Sequence, residues 1–305
     1  MLEINDIVKQ YAKHTALDHV SFSIRKGSIF GLLGPNGAGK TSLIRIINQI
    51  TAPDHGQILF NGEPLNPNHI SKIGYLPEER GLYKKMLIGD QMLYLAQLKG
   101  LSKKEATERI KHWFERMEMQ SWWDKKVEDL SKGMQQKVQF VATVIHQPDL
   151  IILDEPFSGF DPVNVDIIKS EIINLNKNGS TIIFSTHRME SVEELCDSIV
   201  LINKAQKILD GKVSNIKNAY RNNRFHIRYV SQTGAPISEP VDTDIFRIIE
   251  TKTTELGYDS KVEVAEGRSI NDVLTYFIDQ VEVHELKEII PSIHDIFVQK
   301  VKETH

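Results

Sequence analysis

Residues 34–41 limit the possible folds of this chain more than any other part of the sequence. They read GPNGAGKT, follow a buried-strand pattern at residues 28–33 and precede apolar residues at helical spacing in residues 41–50. The pattern G-x-x-x-x-G-K-[ST] between a strand and a helix predicts a phosphate-binding loop, here called the P-loop. Its glycines let backbone N–H groups surround phosphate oxygens, and the helix start favours an anion. The alternative is a glycine-rich turn that binds no ligand.

The P-loop also carries two side chains with a predicted role. Lys40 is placed to neutralise the β- and γ-phosphates of a nucleotide, and the Thr41 hydroxyl is placed to face Mg²⁺. Kinases, small GTPases, helicases and transporters all use such a loop, so the loop alone does not define a function. The candidate nucleotide-binding residues are Gly34, Pro35, Asn36, Gly37, Ala38, Gly39, Lys40, Thr41 and Ser42.

A second apolar run, at residues 150–153, ends in the adjacent carboxylates Asp154 and Glu155. A run of this length predicts a strand that is buried on both faces, as in a parallel sheet. At the end of a strand beside the P-loop, Asp154 could hold Mg²⁺ through water. Glu155 could then orient or deprotonate the water that attacks the phosphate. The alternative is a pair of acids at an exposed strand end.

Strand and helix patterns alternate over the first two thirds of the chain, which predicts an α/β fold with a mostly parallel sheet. A helical block is inserted between residues of about 80 and 146. Within it, Ser102 and Glu105 predict a capping box at the start of one helix.

A polar stretch at residues 214–223 predicts a linker, and a small α/β domain follows it. Residues 224–230 alternate like a strand, residues 269–279 form an amphipathic helix pattern, and a last helix is predicted to start at Pro291 and Ser292. The predicted domains are therefore residues 1–215 and residues 220–305.

Composition and charge narrow the classes of protein that fit this sequence. The net charge of −4, from 37 basic and 41 acidic residues, argues against a nucleic-acid partner. The single cysteine rules out a disulfide framework and suits the cytosol. No stretch approaches the roughly 18 apolar residues that a membrane-spanning helix needs. Any transport function would therefore require separate membrane partners.

Residues 130–137, which read LSKGMQQK, predict a second anion-binding helix start. Ser131 is a favourable N-cap, and Gly133 permits close approach of a phosphate. Since the P-loop already supplies donors, this helix start makes sense if it closes over a nucleotide held by another subunit. The alternative is an ordinary N-capped helix.

Together these segments resemble the ATP-binding cassette (ABC) ATPases over residues 1 to about 215. The resemblance implies an ABC-type P-loop NTPase core with an inserted helical subdomain, and ATP and Mg²⁺ as its ligands. It implies that Tyr11 stacks on adenine, although Tyr11 taken alone resembles a turn tyrosine. It also implies a Q-loop at YLPEER, a signature loop at LSKGMQQK, and His187 as the switch histidine on the γ-phosphate.

On this resemblance the site residues have the following roles. Catalysis is assigned to Glu155 and His187, and Mg²⁺ binding to Thr41, Glu78 and Asp154. The signature residues facing a partner's ATP are Ser131, Lys132 and Gly133, and Asp161 joins the two subunits.

Four positions depart from the common family pattern. Glu78 stands where glutamine is usual, Lys132 and Met134 occupy glycine-type and glutamine positions of the signature loop, and Phe160 replaces leucine. None of these changes removes a catalytic group. We expect the charge of Glu78 to affect the coupling of the site to a partner more than hydrolysis itself.

The C-terminal segment resembles the accessory domain of exporter ATPases for sodium extrusion and for drug or peptide-antibiotic export. Residues 291–301, PSIHDIFVQKV, carry this similarity. The alternative is a dimerisation domain without a regulatory role.

The sequence therefore predicts the ATPase subunit of an ABC exporter at the cytoplasmic face of the membrane. Two copies, or this chain and a paralogue, would enclose two ATP molecules, and membrane permease subunits would dock near residues 76–100. One rival is a soluble ABC ATPase that acts on nucleic acid or ribosomes. A second is an ATP-binding switch without turnover, against which Glu155 and His187 argue.

Overall fold

The computed structural model describes residues 1–79, 81–186, 189–237 and 244–303. Within this part of the chain, the residues divide into two compact units, 1–213 and 214–303.

The first unit begins with an antiparallel sheet whose strands alternate between buried and exposed residues. In spatial order its strands are β2 (His14–Ile24), β1 (Leu2–Tyr11), β4 (His55–Phe60) and β5 (Glu63–Pro64). Successive strand side chains point to opposite faces, so one face of this sheet is apolar. Its buried residues, including Ile4 and Phe60, belong to one core cluster with the P-loop helix and the larger sheet.

The larger, six-stranded sheet carries the P-loop. Its spatial order is β10 (Gln206–Lys212), β9 (Ser198–Asn203), β3 (Ile29–Leu33), β8 (Thr181–Ser185), β7 (Leu150–Asp154) and β6 (Ile73–Leu76). All neighbouring pairs are parallel except β9 and β10. Every residue of β3, β7 and β8 is buried, which confirms the predicted parallel α/β fold. The parallel strands end at one edge, where α/β proteins bind ligands.

Helices connect and cover these strands. Those of the sheet region are α1 (Lys40–Ile47), α5 (Pro162–Lys177) and α6 (Met189–Leu195). The inserted block contains α2 (Ile88–Leu98), α3 (Lys103–Arg116) and α4 (Lys132–Val144). Short 3-10 helices cover Pro67–Lys72, Gln120–Trp122 and Val127–Asp129. The predicted capping box of Ser102 and Glu105 is confirmed at the start of α3.

The second unit is built on an antiparallel sheet. In spatial order its strands are β12 (Phe246–Thr254), β13 (Gly257–Val264), β11 (Arg224–Ser231) and β14 (Val281–Glu288). Two further helices are α8 (Ile270–Ile278) and α9 (Ile293–Glu303). The core forms where α8 meets one sheet face and buries Tyr229, Phe246 and Phe277.

The segment predicted as a linker, residues 214–223, is not irregular throughout, because α7 (Val213–Ala219) occupies most of it. Val213 and Ile216 are buried and lie three residues apart on one face of this helix. Burial of these two apolar side chains helps to stabilise a helix in a segment whose other residues are mostly polar.

No helix in the described ranges combines the length and the apolar character needed to cross a bilayer.

Candidate nucleotide-binding site

The P-loop lies between β3 and α1, as predicted, and two of its glycines cannot carry a side chain. Gly34 has φ 153°, and a Cβ there would lie 2.2 Å from the carbonyl oxygen of Ile202. Gly39 is the N-cap of α1 with φ 113°, and a Cβ there would lie 2.2 Å from the carbonyl oxygen of Ala16. The loop is therefore held against the backbone of its neighbours in a shape that only glycine permits.

Lys40 is the first residue of α1, and its side chain folds back over the P-loop. Its Nζ donates to the carbonyl oxygens of Gly34, at 2.7 Å, and Pro35, at 3.0 Å. Burial lowers the pKa of Lys40, while the carboxylates of Asp154, Glu155 and Glu78 act in the opposite direction. The ammonium group is thus positioned among acids at the mouth of the loop.

A cavity of about 370 Å³ brings the P-loop and the predicted acids together. Glu78 follows β6, and Asp154 ends the adjacent parallel strand β7, so both reach the same sheet edge. The lining residues are His14, Asn36, Gly37, Ala38, Gly39, Lys40, Thr41, Ser42, Glu78, Asp154 and Glu155. This arrangement combines phosphate-binding donors with three carboxylates.

Asp154 is only 5% exposed, and the carboxylates of Glu78 and Glu155 lie near it. Burial raises its pKa, and the charges of Glu78 and Glu155 add to the rise, whereas the Ser185 hydroxyl and, less strongly, Lys40 lower it. Because a cation would relieve both effects, the carboxyl group is well placed to bind one.

Glu155 has a left-handed backbone with φ 49°, which is uncommon for a residue with a side chain. Its amide donates to the carbonyl oxygen of Ser185 at 2.8 Å, and the Thr186 hydroxyl donates to Glu155 Oε2 at 3.2 Å. The end of β8 thus holds both the backbone and the carboxylate of Glu155 at the cavity.

Some predicted residues do not line this cavity. Tyr11, at the end of β1, is 39% exposed and pairs with His14, which does line it. Gly34 and Pro35 do not line the cavity either, and their carbonyl oxygens accept the hydrogen bonds from Lys40 Nζ. His187 lies outside the described residues.

The signature loop lines a separate cavity of about 800 Å³. Ser131 is the N-cap of α4, and its hydroxyl accepts the amide of Met134 at 3.3 Å. The lining includes Ser131, Lys132, Gly133 and Asp161, and it shares no residue with the P-loop cavity. Within one chain, the predicted site is therefore divided between two places.

Gly133 is not required by the fold of its own chain. It lacks a positive φ, and a Cβ there would lie 3.5 Å from the carbonyl oxygen of Gly159, an ordinary contact. The missing side chain leaves the backbone at the start of α4 accessible within the signature cavity, which suits a group from outside the chain.

Asp161 has a local structural role as the N-cap of α5. Its carboxylate accepts the Asn164 amide at 3.0 Å, and this bond lowers the pKa of Asp161. The residue also lines the signature cavity.

Two buried glutamines of α4 were not predicted from the sequence. Gln136 Nε2 donates to the carbonyl oxygen of Pro156 at 3.4 Å. Gln139 Nε2 lies 3.4 Å from the carbonyl oxygens of Pro77 and Glu79, on both sides of Glu78. These contacts connect the signature helix to the loops that carry Glu155 and Glu78. The sequence signal for both residues is that a polar side chain stands next to the apolar positions Val138 and Val141 of the same helix.

The P-loop, the acid cluster and the parallel sheet define a P-loop nucleoside-triphosphate-binding protein. The sequence matches the family model described as ABC transporter over residues 17–158. Residues 211–301 match ATP-binding protein DrrA1-3-like, C-terminal domain. Residues 125–193 match AAA domain, putative AbiEii toxin, Type IV TA system.

Individual relatives agree with these matches. The Bacillus subtilis (strain 168) ABC transporter ATP-binding protein YhaQ is 40% identical over 312 residues, covering 99% of this chain and 98% of the relative. Nod factor export ATP-binding protein I of Cupriavidus metallidurans is 33% identical, covering 70% of this chain and 71% of the relative. A solved ATP binding subunit of an ABC transporter is 29% identical with a TM-score of 0.67, covering 72% of this chain and 93% of that chain.

The chain therefore belongs to the ABC transporter ATP-binding proteins. It is an ATPase that powers transport by membrane partners, as the sequence resemblance implied.

Proposed function

We propose that this chain is the ATPase subunit of an exporter and that two chains, alike or paralogous, enclose two ATP molecules head to tail. The observation that carries this proposal is the division of the site into two separate cavities, one at the P-loop and one at the signature loop. A two-fold related partner would place its signature cavity over this chain's P-loop. By the same symmetry, this chain's signature cavity would lie over the partner's P-loop. Asp161, at the rim of the signature cavity, would contact the partner.

The residues at the P-loop fit a nucleotide-bound Mg²⁺. Thr41 offers a hydroxyl, and Glu78 and Asp154 offer carboxylates, all in one cavity. Mg²⁺ prefers such oxygen donors and takes its other ligands from substrate phosphates and water. By themselves, the described residues include no group of three or more Asp, Glu, His or Cys side chains arranged as a metal site. The metal would neutralise charge on the phosphates.

For hydrolysis we assign Glu155 to orienting the attacking water and accepting its proton. The Thr186 hydroxyl and the Ser185 carbonyl oxygen position Glu155 at the cavity. Lys40 would exchange its carbonyl partners for β- and γ-phosphate oxygens. His187 is assigned to contact the γ-phosphate, and this assignment rests only on the resemblance to ABC ATPases. Closure on ATP and opening after hydrolysis would then move the membrane subunits.

A docking surface for the membrane subunits is proposed near residues 76–100. Three large side chains there are exposed, namely Tyr83 at 57%, Tyr94 at 44% and Leu98 at 64%. The Tyr83 and Tyr94 rings meet edge to face with centroids 6.4 Å apart. An aromatic and aliphatic surface next to the Q-loop suits an apolar helix of a permease.

Export and a peripheral location at the cytoplasmic face of the membrane are inferred from relatives. One relative is named for Nod factor export, and the second unit matches the C-terminal model of DrrA-like proteins. No finding favours the alternative of an ABC ATPase that acts on nucleic acid or ribosomes.

We expect Glu78→Gln to change basal ATP hydrolysis by less than about tenfold, or ~1.4 kcal/mol of barrier. The substitution removes a charge from the cavity but keeps the side-chain length and an amide oxygen that can still bind Mg²⁺, and Glu155 remains in place. Stimulation by the membrane subunits should change more, since Glu78 lines the cavity and also belongs to the segment proposed for docking, near residues 76–100. The measurement is ATPase activity with and without reconstituted membrane subunits.

Glu79→Gln is the matched control, because Glu79 is the exposed neighbour of Glu78 and does not line the cavity. Wild-type protein that is not stimulated by membrane subunits would contradict the proposed function. A collapse of basal activity in Glu78→Gln would show instead that Glu78 acts in the chemical step.

A further inference from the structure

The side chain of Lys9 lies against Tyr11. Its Nζ is 5.4 Å from the centroid of the Tyr11 ring, and the Lys9 side chain is only 11% exposed. A cation at this distance over an aromatic ring is attracted by the ring's electrons. This contact restricts the orientation of an otherwise half-exposed ring at the end of β1.

Asp54 in turn fixes Lys9 and the backbone beside it. Its Oδ1 accepts from Lys9 Nζ at 2.9 Å, and its Oδ2 accepts from the Gln10 amide at 2.6 Å. The Asp54 amide donates to the Val8 carbonyl oxygen at 2.8 Å. The first two bonds lower the pKa of Asp54, with the Gln10 amide as the larger cause.

These bonds act where the strand is irregular. The pairing of β1 with β2 shifts register between Lys9 and Gln10, just before Tyr11. A shift of register changes the direction in which the following side chain points. Asp54 directly precedes β4, in the segment that connects α1 to β4, so its bonds fix the end of β1 to that segment.

We propose that Lys9 and Asp54 are positioning residues for the base of the bound nucleotide, and that they act by holding the Tyr11 ring in a base-stacking orientation. This inference rests on the proposed ATP site and on the adenine-stacking role that the family resemblance implies for Tyr11. Lys9 occupies one face of the ring, which leaves the other face for a purine. The ammonium also draws electron density from the ring, which favours stacking with the electron-rich base.

The test compares ATP with inorganic tripolyphosphate, which carries no base, by titration calorimetry on the full chain. We expect Tyr11→Ala to weaken ATP binding about tenfold. Lys9→Met, which keeps the aliphatic stem, should weaken it about fivefold, and Asp54→Asn should act in the same direction. Lys9→Arg retains the cation and should bind ATP within about twofold of the wild type. Tripolyphosphate affinity should stay unchanged in all four variants, which also confirms an intact P-loop.

A double-mutant comparison separates positioning from a general structural effect. If Lys9 acts through Tyr11, then Lys9→Met should change ATP affinity by less than about twofold in the Tyr11→Ala background. A fivefold loss that persists in that background, or an equal loss for tripolyphosphate, would overturn the inference. An ATP affinity that Tyr11→Ala leaves unchanged would reject the proposed role of Tyr11 itself.

Discussion

Glu155→Gln is expected to slow ATP hydrolysis by at least about a hundredfold while ATP still binds, because general-base catalysis contributes about 10²–10⁴. The amide keeps the size and hydrogen bonding of the side chain but cannot accept a proton from water. Thr186 and the backbone bond to Ser185 should hold the substituted side chain in place. The variant should therefore accumulate with ATP bound and, on the two-chain proposal, as a closed dimer.

Two measurements check this result. Steady-state phosphate release gives the rate, and size-exclusion chromatography with ATP and Mg²⁺ shows whether a dimer accumulates. Glu108→Gln, an exposed change of the same kind on α3, serves as the control and should behave like wild type. Wild-type turnover in Glu155→Gln would show that another group activates the water.

Lys40→Ala is expected to weaken ATP binding about tenfold to a hundredfold, because each charge-assisted contact contributes roughly 1.5–3 kcal/mol. The lysine now bonds to the carbonyl oxygens of Gly34 and Pro35, so part of this energy is offset by bonds that ATP must replace. The backbone amides of the loop still contribute in the variant. Some affinity should therefore remain.

Fluorescent-nucleotide titration measures this loss. Lys104→Ala, which removes an exposed lysine from α3, is the control for the change in net charge. An unchanged affinity in Lys40→Ala would mean that the loop does not hold the β- and γ-phosphates.

The central part of the fold was predictable because its signals are local. Apolar runs at residues 28–33 and 150–153 predict buried strands beside the P-loop, and every residue of β3 and β7 is buried in the sheet. The two adjacent acids then had to reach the edge of the sheet where the P-loop lies. Asp154 and Glu155 line that cavity as expected.

The strands β12 and β13 were not predicted, and for β12 the sequence explains why. In β12 most residues are exposed or partly exposed, and charged and polar side chains interrupt the alternation that marks a strand. These strands are stabilised by pairing with neighbours, which a single-sequence pattern does not reveal.

The connections around the site depend on residues far apart in the chain. Gln139 contacts carbonyl oxygens about sixty positions earlier, and Lys9 is paired with Asp54 across forty-five positions. Periodicity shows that Gln139 lies on a buried helix face but does not identify its partner. Only the sheet topology brings these groups together.

Mixing two inactive variants tests the two-chain site most directly. Lys40→Ala damages the P-loop, and Gly133→Asp places a carboxylate over the signature helix at a position where the fold tolerates a side chain. In a mixed dimer one site would carry both defects, and the other would be intact.

The measurement is ATPase activity of each purified variant alone and of their equimolar mixture. We predict little activity for either variant and recovery in the mixture of up to about a quarter of the wild-type rate, since half of the dimers would contain one intact site of two. A mixture no more active than the average of its two components would contradict a site shared between chains.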